Sequence, residues 1–521
     1  MPETKSIPYK DNSSYTLPPK RFALKVIRPG NSSALFFPCE HVKLIRSHRS
    51  ISGSGGGLSL SIPKQDEYYV QEIKKGKEEK SLKLEKIENG ISLPFGDIFP
   101  IRSIVFLYVG IFSENDDLFQ LNIGVVTTLS KRFQADAHST VELTISPLES
   151  ILQETDFFAD FQRGEGTPQN RNSDNFVGLL NSSAEVLLKG DLKSIITNFW
   201  DEFFCKLLEL PRYPGTPFVS KYSEPNPDAI LSLIPPESAY TENFAYESQV
   251  ISSFQVGSFV SFWEILRSYA SPPLYEIFID TLETFSKSGV ENVGVKKGKQ
   301  AALPSEIETY FVDANGAKLV FRPTPFYMFD SDGKYRDLKE EHIEQVYEFA
   351  LEDLKDIPQT ESSSDFVSGV HVCLNVYSNF GTVISEPKYN AKLQNLIGPK
   401  LLSVKLGGLN FKEENLSSEK KPIYKDELGQ IRDNLFSIFC NLDELKIGQG
   451  SLSLSFFPIR AGLPFSIKVD EDKKYGYNTD NLSKKGYITD VIDEFSPGEG
   501  KATTRVMYKW VPTVSTIYAN L

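Results

Sequence analysis

The sequence predicts an α+β fold dominated by β structure, with two antiparallel β-barrel or sandwich domains set apart by a mixed helical middle region. Three observations lead there. Short runs of β-branched and aromatic residues gather toward both ends of the chain, helical periodicity is confined largely to its interior, and two extended segments near opposite ends echo one another. A chain of 521 residues exceeds one ordinary domain. Its divisions fall at an arm over 1–20, a first β domain over 21–160, a helical insertion over 161–256, a mixed α/β domain over 257–400, and a helix with a second β domain over 401–521.

The arm, "MPETKSIPYKDNSSYTLPPK", is polar, lacks the apolar core of a signal peptide, and reads as a segment ordered by a partner. From Arg21, "RFALKVI", "IVFLYVGIF" and "LFQLNIGVVTTL" are strands, with "ENDD" as a turn. "GSGGG" at 53–57 is a flexible loop, because it lacks the Lys-Ser/Thr of a phosphate loop. "SPLESILQETDFFADF" (146–161) adds a helical turn or two. Helical spacing returns in 184–210, with a break expected near Gly190, and a Pro-rich stretch over 211–236 ends it.

In "GSFVSFWEILRSYASPPLYEIFIDT" (257–281), Phe259, Phe262, Trp263, Leu266 and Ala270 form an apolar helical stripe. Ser261 and Glu264 stand at capping-box spacing for a helix that begins late. Pro272 and Pro273 stop that helix, and Leu274 to Asp280 is a strand. Glu308–Val312 and Lys318–Arg322 form a hairpin around Asp313-Ala314-Asn315-Gly316. A second amphipathic helix is expected over 337–356, with Ile343, Val346, Phe349 and Ala350 on one face, and a third over 426–448. Strands resume at Ser451.

The two β regions share a pattern. "FPIRSIVFLYV" (99–109) and "FPIRAGLPFSIKV" (457–469) both open on Phe-Pro-Ile-Arg and run into an extended apolar segment. "GVVTTLSKRF" (124–133) then matches "GYITDVIDEF" (486–495), each followed by a turn and a Thr-rich strand. Arg102 precedes Gly124 by 22 residues and Arg460 precedes Gly486 by 26, a difference absorbed in the turn. The proline fits a strand entrance, where its missing N–H costs nothing, and the glycine permits a bend or bulge. The pattern indicates one small β module encoded twice.

Composition excludes several functions. A formal charge of −13 argues against a direct nucleic-acid-binding surface, which needs a basic stripe. Cys39, Cys205, Cys373 and Cys440 lie far apart and read as buried free thiols from a reducing compartment. Five scattered histidines give no metal-ligand spacing, and no nucleophile or metalloprotease signature occurs. No apolar run approaches a membrane span. No catalytic residue, cofactor or metal is therefore assigned.

"AKLVFRPTPF" (317–326) is the most distinctive strand. Pro323 and Pro325 push Arg322 and Thr324 toward extended geometry and donate nothing to a ladder, so the chain leaves its sheet in a fixed direction. Phe321 and Phe326 are free to pack. Two structural readings stand: a rigid exit from a core strand, or an exit that also aims Arg322 at a carboxylate on a neighbouring subunit.

A helix with a central Trp263, the Pro272-Pro273 break, an aromatic strand and then Arg322-Pro323-Thr324-Pro325-Phe326 together resemble the central baseplate hub proteins of contractile-tailed bacteriophages. The related hubs of phage-derived contractile injection systems share this character. The resemblance is densest over 257–326 and extends to the duplicated segments around Arg102, Gly124, Arg460 and Gly486; residues 161–256 and 283–307 do not match. It implies two tail-tube-like β domains per chain and a homotrimer, hence a ring of six similar units. Such a ring is a symmetry adapter between a hexameric tail tube protein and a trimeric central spike protein, with the tape measure and baseplate wedge proteins as further neighbours. DNA would meet the chain only in passage through the lumen, where an acidic balance prevents adsorption. The implied location is the virion, in the tail baseplate, after synthesis in the host cytoplasm. The alternatives are the hub of a protein injection system, a tail-associated cell-wall-degrading protein, and a glycan-binding tail module.

Overall fold

A computed structural model of the chain describes residues 5–8, 21–39, 42–52, 56–73, 90–110, 119–132, 139–159, 192–208, 213–214, 216–226, 228–236, 244–246, 258–282, 316–324, 345–361, 366–376, 381–406, 409–411, 421–440, 448–470 and 485–511. It opens with β1 (Lys5–Pro8), β2 (Arg21–Ile27), β3 (Ala34–Pro38), β4 (Leu44–Ser50), β5 (Gly57–Pro63), β6 (Tyr68–Ile73) and β7 (Gly90–Leu93). Next come β8 (Ile104–Gly110), β9 (Phe119–Arg132) and β10 (Thr140–Pro147). All seven positions of β8 are buried, because both of its faces are covered. Val105, Leu107 and Val109 enter a core with β4, β5 and β10, while Ile104, Phe106 and Tyr108 face the helical middle of the chain.

The middle begins with β11 (Asp156–Ala159) and a helix over Leu192–Phe199 that continues through a π-turn at Trp200–Phe204 to Cys205–Leu208. β12 (Leu231–Ile234), β13 (Phe244–Tyr246) and β14 (Ser258–Ser261) follow, then the helix Phe262–Ala270, β15 (Tyr275–Asp280) and β16 (Ala317–Pro323). β16 pairs in parallel with β12 and antiparallel with β15, so neighbours lie on both its edges. The hairpin partner expected at Glu308–Val312 lies outside the described residues. Phe259 belongs to β14, which pairs with β11, so it is not part of the helical stripe.

The expected helix over 337–356 is not formed at its described residues. Gln345–Ala350 is a strand, β17, followed by a single turn over Leu351–Asp353. Tyr347 and Phe349 alternate into the second module's core, and that burial outweighs helix propensity. Next come β18 (Gln359–Glu361), β19 (Gly369–Val376), β20 (Gly381–Ile384), β21 (Lys388–Tyr389), β22 (Leu401–Leu406) and β23 (Leu409–Phe411). The third expected helix is present as Lys421–Phe439, and its Leu428, Ile431 and Leu435 share a core with Val370, Val372 and Val404. The chain finishes with β24 (Gly448–Ser455), β25 (Pro464–Lys468), β26 (Lys485–Ser496) and β27 (Lys501–Val511).

The duplicated segments form matching modules. Strand order is β4-β5-β10-β9-β8-β2 in the first and β18-β24-β27-β26-β25-β17 in the second. Every adjacent pair is antiparallel except the last of the second module, where β17 runs parallel to β25. The register between β9 and β10 slips at Thr127, and that between β26 and β27 slips at Thr489. Each bulged threonine sends its hydroxyl to a carbonyl on the next strand, Thr127 to Thr144 and Thr489 to Met507, both at 3.4 Å. Glycines Gly124 and Gly486 open the two "GxxT" segments three residues before the bulge.

The Phe-Pro-Ile-Arg echo proves offset by two residues. Arg102 takes φ 72° and donates its N–H to Val126 O (2.8 Å), whose own N–H reaches Ser103 O. In the second module Gly462, at φ 82°, occupies that place and donates to Ile488 O (2.8 Å), while the Ile488 N–H reaches Leu463 O. Arg460 is therefore not the counterpart of Arg102. Left-handed backbone at this turn fixes the alignment, and glycine meets it without a Cβ penalty.

Among the described residues, sixteen strands, drawn in part from both modules, form one sheet rather than two closed barrels. β25 covers β26 only over Lys485–Tyr487, leaving the rest of that edge open to β4, which pairs from Asp490↔Ser50 to Phe495↔Ile45. Phe495 crosses the joint into the first core, with its ring 4.9 Å from Phe22. β17 and β18 also come from the region expected to be the mixed domain, so the second module draws on both sides of residue 400. β1, from the arm, pairs in parallel with β17 of its own chain.

Candidate functional site

The described residues most distinctive in the sequence converge where the three-stranded sheet β12-β16-β15 meets both modules. Arg322 on β16 lies directly opposite Glu276 on β15. Its Nε donates to Glu276 Oε1 at 2.6 Å, and Nη2 donates to the Gly462 carbonyl and to the Tyr487 hydroxyl (3.3 Å). The Tyr487 hydroxyl in turn donates to the Glu276 carboxylate at 2.7 Å. The guanidinium also lies 5.0 Å from the centre of the Phe278 ring. Glu276, Arg322 and Tyr487 are all buried. The carboxylate expected on a neighbouring subunit is thus supplied within the chain, by the residue that strand pairing places across from Arg322.

Burial by itself would pull the Arg322 pKa down, but Glu276 and Tyr487 reverse that and hold the guanidinium charged. Burial, and then the charge of Glu276, raise the Tyr487 hydroxyl well above its ordinary value, so it stays a donor. Tyr487 immediately follows Gly486, and Gly462 is the left-handed turn of the same module. The cluster therefore fastens the middle sheet to the geometry the two modules share, and does so through charge.

β15 serves both modules by strand alternation. Glu276 and Asp280 face the second: Arg460 Nε meets Asp280 Oδ2 at 2.7 Å, Arg460 Nη2 reaches Leu282 O, and its backbone N–H donates to the Tyr347 hydroxyl. Thr281 and the backbone near it face the first. The Thr281 hydroxyl donates to Asn122 Oδ1 (2.8 Å), Gln120 Nε2 donates to Thr281 O (2.7 Å), and Asn122 Nδ2 continues to Ser47 Oγ (3.0 Å). The Ile279 N–H donates to Glu149 Oε1 at 3.0 Å. Burial pushes that carboxyl up to about 7, against the lowering effect of hydrogen bonds from its own N–H and that of Ile279.

The helix Phe262–Ala270 has the expected capping box. The Glu264 N–H donates to Ser261 Oγ and the Ser261 N–H to Glu264 Oε2, both at 3.2 Å. Phe262 stacks against Phe199 and Phe204 at centroid distances of 5.3 and 4.2 Å, and Trp263 is buried beside them. Ser271 turns the chain left-handed before Pro272 and Pro273. Thr324, after Pro323, ties the exit strand back to this break: its hydroxyl donates to Pro273 O (2.8 Å) and its N–H to Leu274 O (3.0 Å). Pro325 and Phe326 lie outside the described residues. Arg102, by contrast, pairs with Glu154 at the surface and gives its carbonyl to the Tyr213 hydroxyl at 2.6 Å.

Sequence reasoning missed Glu276, Asp280, Gln120, Asn122 and Tyr487. The signal was present: "YEIFID" and "FQLNIG" insert polar residues into otherwise apolar strands, which a buried strand tolerates only with partners. A further echo of the repeat is "SLSI" in β5 against "SLSL" in β24. Among the described residues no group of three or more His, Cys, Asp or Glu could hold a metal, and no helix is long and apolar enough to cross a membrane.

No family model matches the sequence, and no curated protein does. Solved structures similar to the chain include a tail protein from Neisseria meningitidis MC58, at 9% identity and TM-score 0.40, covering 94% of this chain and 96% of that one. The 43 kDa tail protein of prophage MuSo2 from Shewanella oneidensis matches at 9% identity and TM-score 0.35, covering 94% and 100%. The E. coli c3393 protein, described as a type VI secretion component similar in structure to the T4 tail proteins gp27 and gp5, matches at 10% and 0.34, covering 94% and 76%.

Proposed function

We propose that the chain is the central hub of a tail baseplate. Three copies form a ring of six similar β modules, one face of which meets a hexameric tail tube while the other carries a trimeric spike, with DNA passing through the lumen. The observation that carries this reading is the duplication itself. Two modules in one chain share strand order, bulge position and left-handed turn. A three-copy assembly of such a chain presents threefold symmetry to one neighbour and approximate sixfold symmetry to another. The buried joint around Arg322 supports it further, since a ring that bears load needs its two modules held at one angle. The reading is tested by measuring the native mass of the purified chain, alone and mixed with candidate tube and spike proteins. A trimer that binds both is expected; a monomer that binds neither would remove the proposal.

A further inference from the structure

The joint between the two modules inside the chain has a counterpart on which no strand lies among the described residues. β4 of the first module lies along the second half of β26, and one pair there is deeply buried: Arg49 Nη2 to Asp493 Oδ2 at 2.6 Å, with Asp493 also taking the Thr504 hydroxyl. The module equivalence, set by Gly124 with Gly486 and Thr127 with Thr489, maps the second half of β26 onto Thr128–Arg132 of β9. It also maps β4 onto β18: Lys43 and Lys355 donate the same N–H bond, to Ser61 O at 2.9 Å and Ser453 O at 2.7 Å. Ser47 opposite Leu58 then corresponds to Gln359 opposite Gly450.

Both counterpart edges lack a strand among the described residues. β8 covers β9 only as far as Val125, and β18 pairs only with β24. In this register the position of Asp493 is held by Lys131, which is exposed, and the position of Arg49 is held by Glu361. At these two register positions the charge signs of the internal pair are exchanged.

We infer that β18 of one copy adds antiparallel to the second half of β9 of the next copy, with Glu361 pairing Lys131, as the joint that closes the ring. The inference rests on the ring reading above and supplies the contact it needs. Edge-strand addition satisfies both rows of backbone groups. The exchanged charges also decide which modules meet. β4 carries Arg46 and Arg49, and would face Lys131 if two first modules joined. Two second modules would set Glu361 against Asp490, Asp493 and Glu494. Like charges across a joint disfavour both, so first and second modules alternate.

The test uses the full chain. Lys131→Glu and Glu361→Lys each place like charges at the joint, and each is expected to raise the concentration at which the assembly dissociates by at least about tenfold, read by mass photometry. The double variant restores opposite charges and is expected to recover most of the loss. In a second experiment, chains carrying Ser130→Cys are mixed with chains carrying Thr360→Cys, residues that fall opposite one another in the mapped register. Oxidation should yield a covalent two-chain product that neither variant gives alone. A trimer that ignores the charge reversals and does not cross-link overturns the inference and leaves the hub reading standing. A chain that never associates overturns both.

Discussion

Replacing Arg322 by methionine tests whether the middle sheet and the second module are held together by charge. Methionine keeps the bulk of the side chain but removes the ion pair to Glu276, the hydrogen bonds to Gly462 O and the Tyr487 hydroxyl, and the contact with Phe278. Glu276 is then a buried carboxylate with Tyr487 as its remaining side-chain donor. Stranding one member of a buried pair costs about 3–5 kcal/mol. Removing both charges, as in Arg322→Met with Glu276→Leu, takes these partners from neutral groups only, the Tyr487 hydroxyl and the Gly462 carbonyl, at about 1–3 kcal/mol each, and the carbonyl already loses its donor in Arg322→Met alone. The double variant should therefore be more stable than Arg322→Met alone, although it loses more contacts. Urea unfolding followed by circular dichroism gives the midpoints of wild type, both singles and the double. Hydrogen exchange locates the loosening, expected at Glu276–Ile279 and Tyr487. An Arg322→Met variant within about 1 kcal/mol of wild type, or single effects that simply add, would refute the argument.

Glu149 provides a pH signature. Its carboxyl is raised from 4.5 to about 7 in the folded chain, so between those values the folded state holds a proton that the unfolded state has released. The associated stability is complete below the unfolded value and is lost as pH rises through about 7, by about 3 kcal/mol in all. Glu149→Gln keeps an acceptor for the Ile279 N–H and should flatten this part of the profile, checked by unfolding midpoints at about pH 5 and about pH 8. At Gly124 a Cβ would meet Ser146 O at 2.5 Å and Ile145 Cγ2 at 2.6 Å, so Gly124→Ala must push β9 from β10. A loss of about 1–3 kcal/mol is expected in thermal melting, with Gly96→Ala, where the added methyl meets nothing, as the near-neutral control.

What was legible in the sequence was local. Ser261 and Glu264 announce a helix start because the box is closed within one turn, and Pro272-Pro273 announces its end because the constraint is covalent. The pairing of Gly124 with Gly486 is legible, since strand, bulge and threonine follow within a few residues. Residue identity aligns Arg460 with Arg102, but the turn is governed by a left-handed residue, which the second copy supplies as Gly462. The segment 337–356 carries helical spacing and still forms a strand where it is described, because β25 offers an edge and a core that the local sequence does not contain.

By itself, then, the sequence determined the β-dominated class, the helix boundaries written in caps and prolines, and the existence of a repeated module. Only the tertiary structure decided that Arg322 finds its carboxylate in its own chain, that β4 crosses to β26, and that one sheet runs through both modules. Those outcomes depend on pairings between residues separated by tens to hundreds of positions. A single strand's pattern states which face is apolar and leaves open which edge it will meet, because every backbone edge offers the same donors and acceptors.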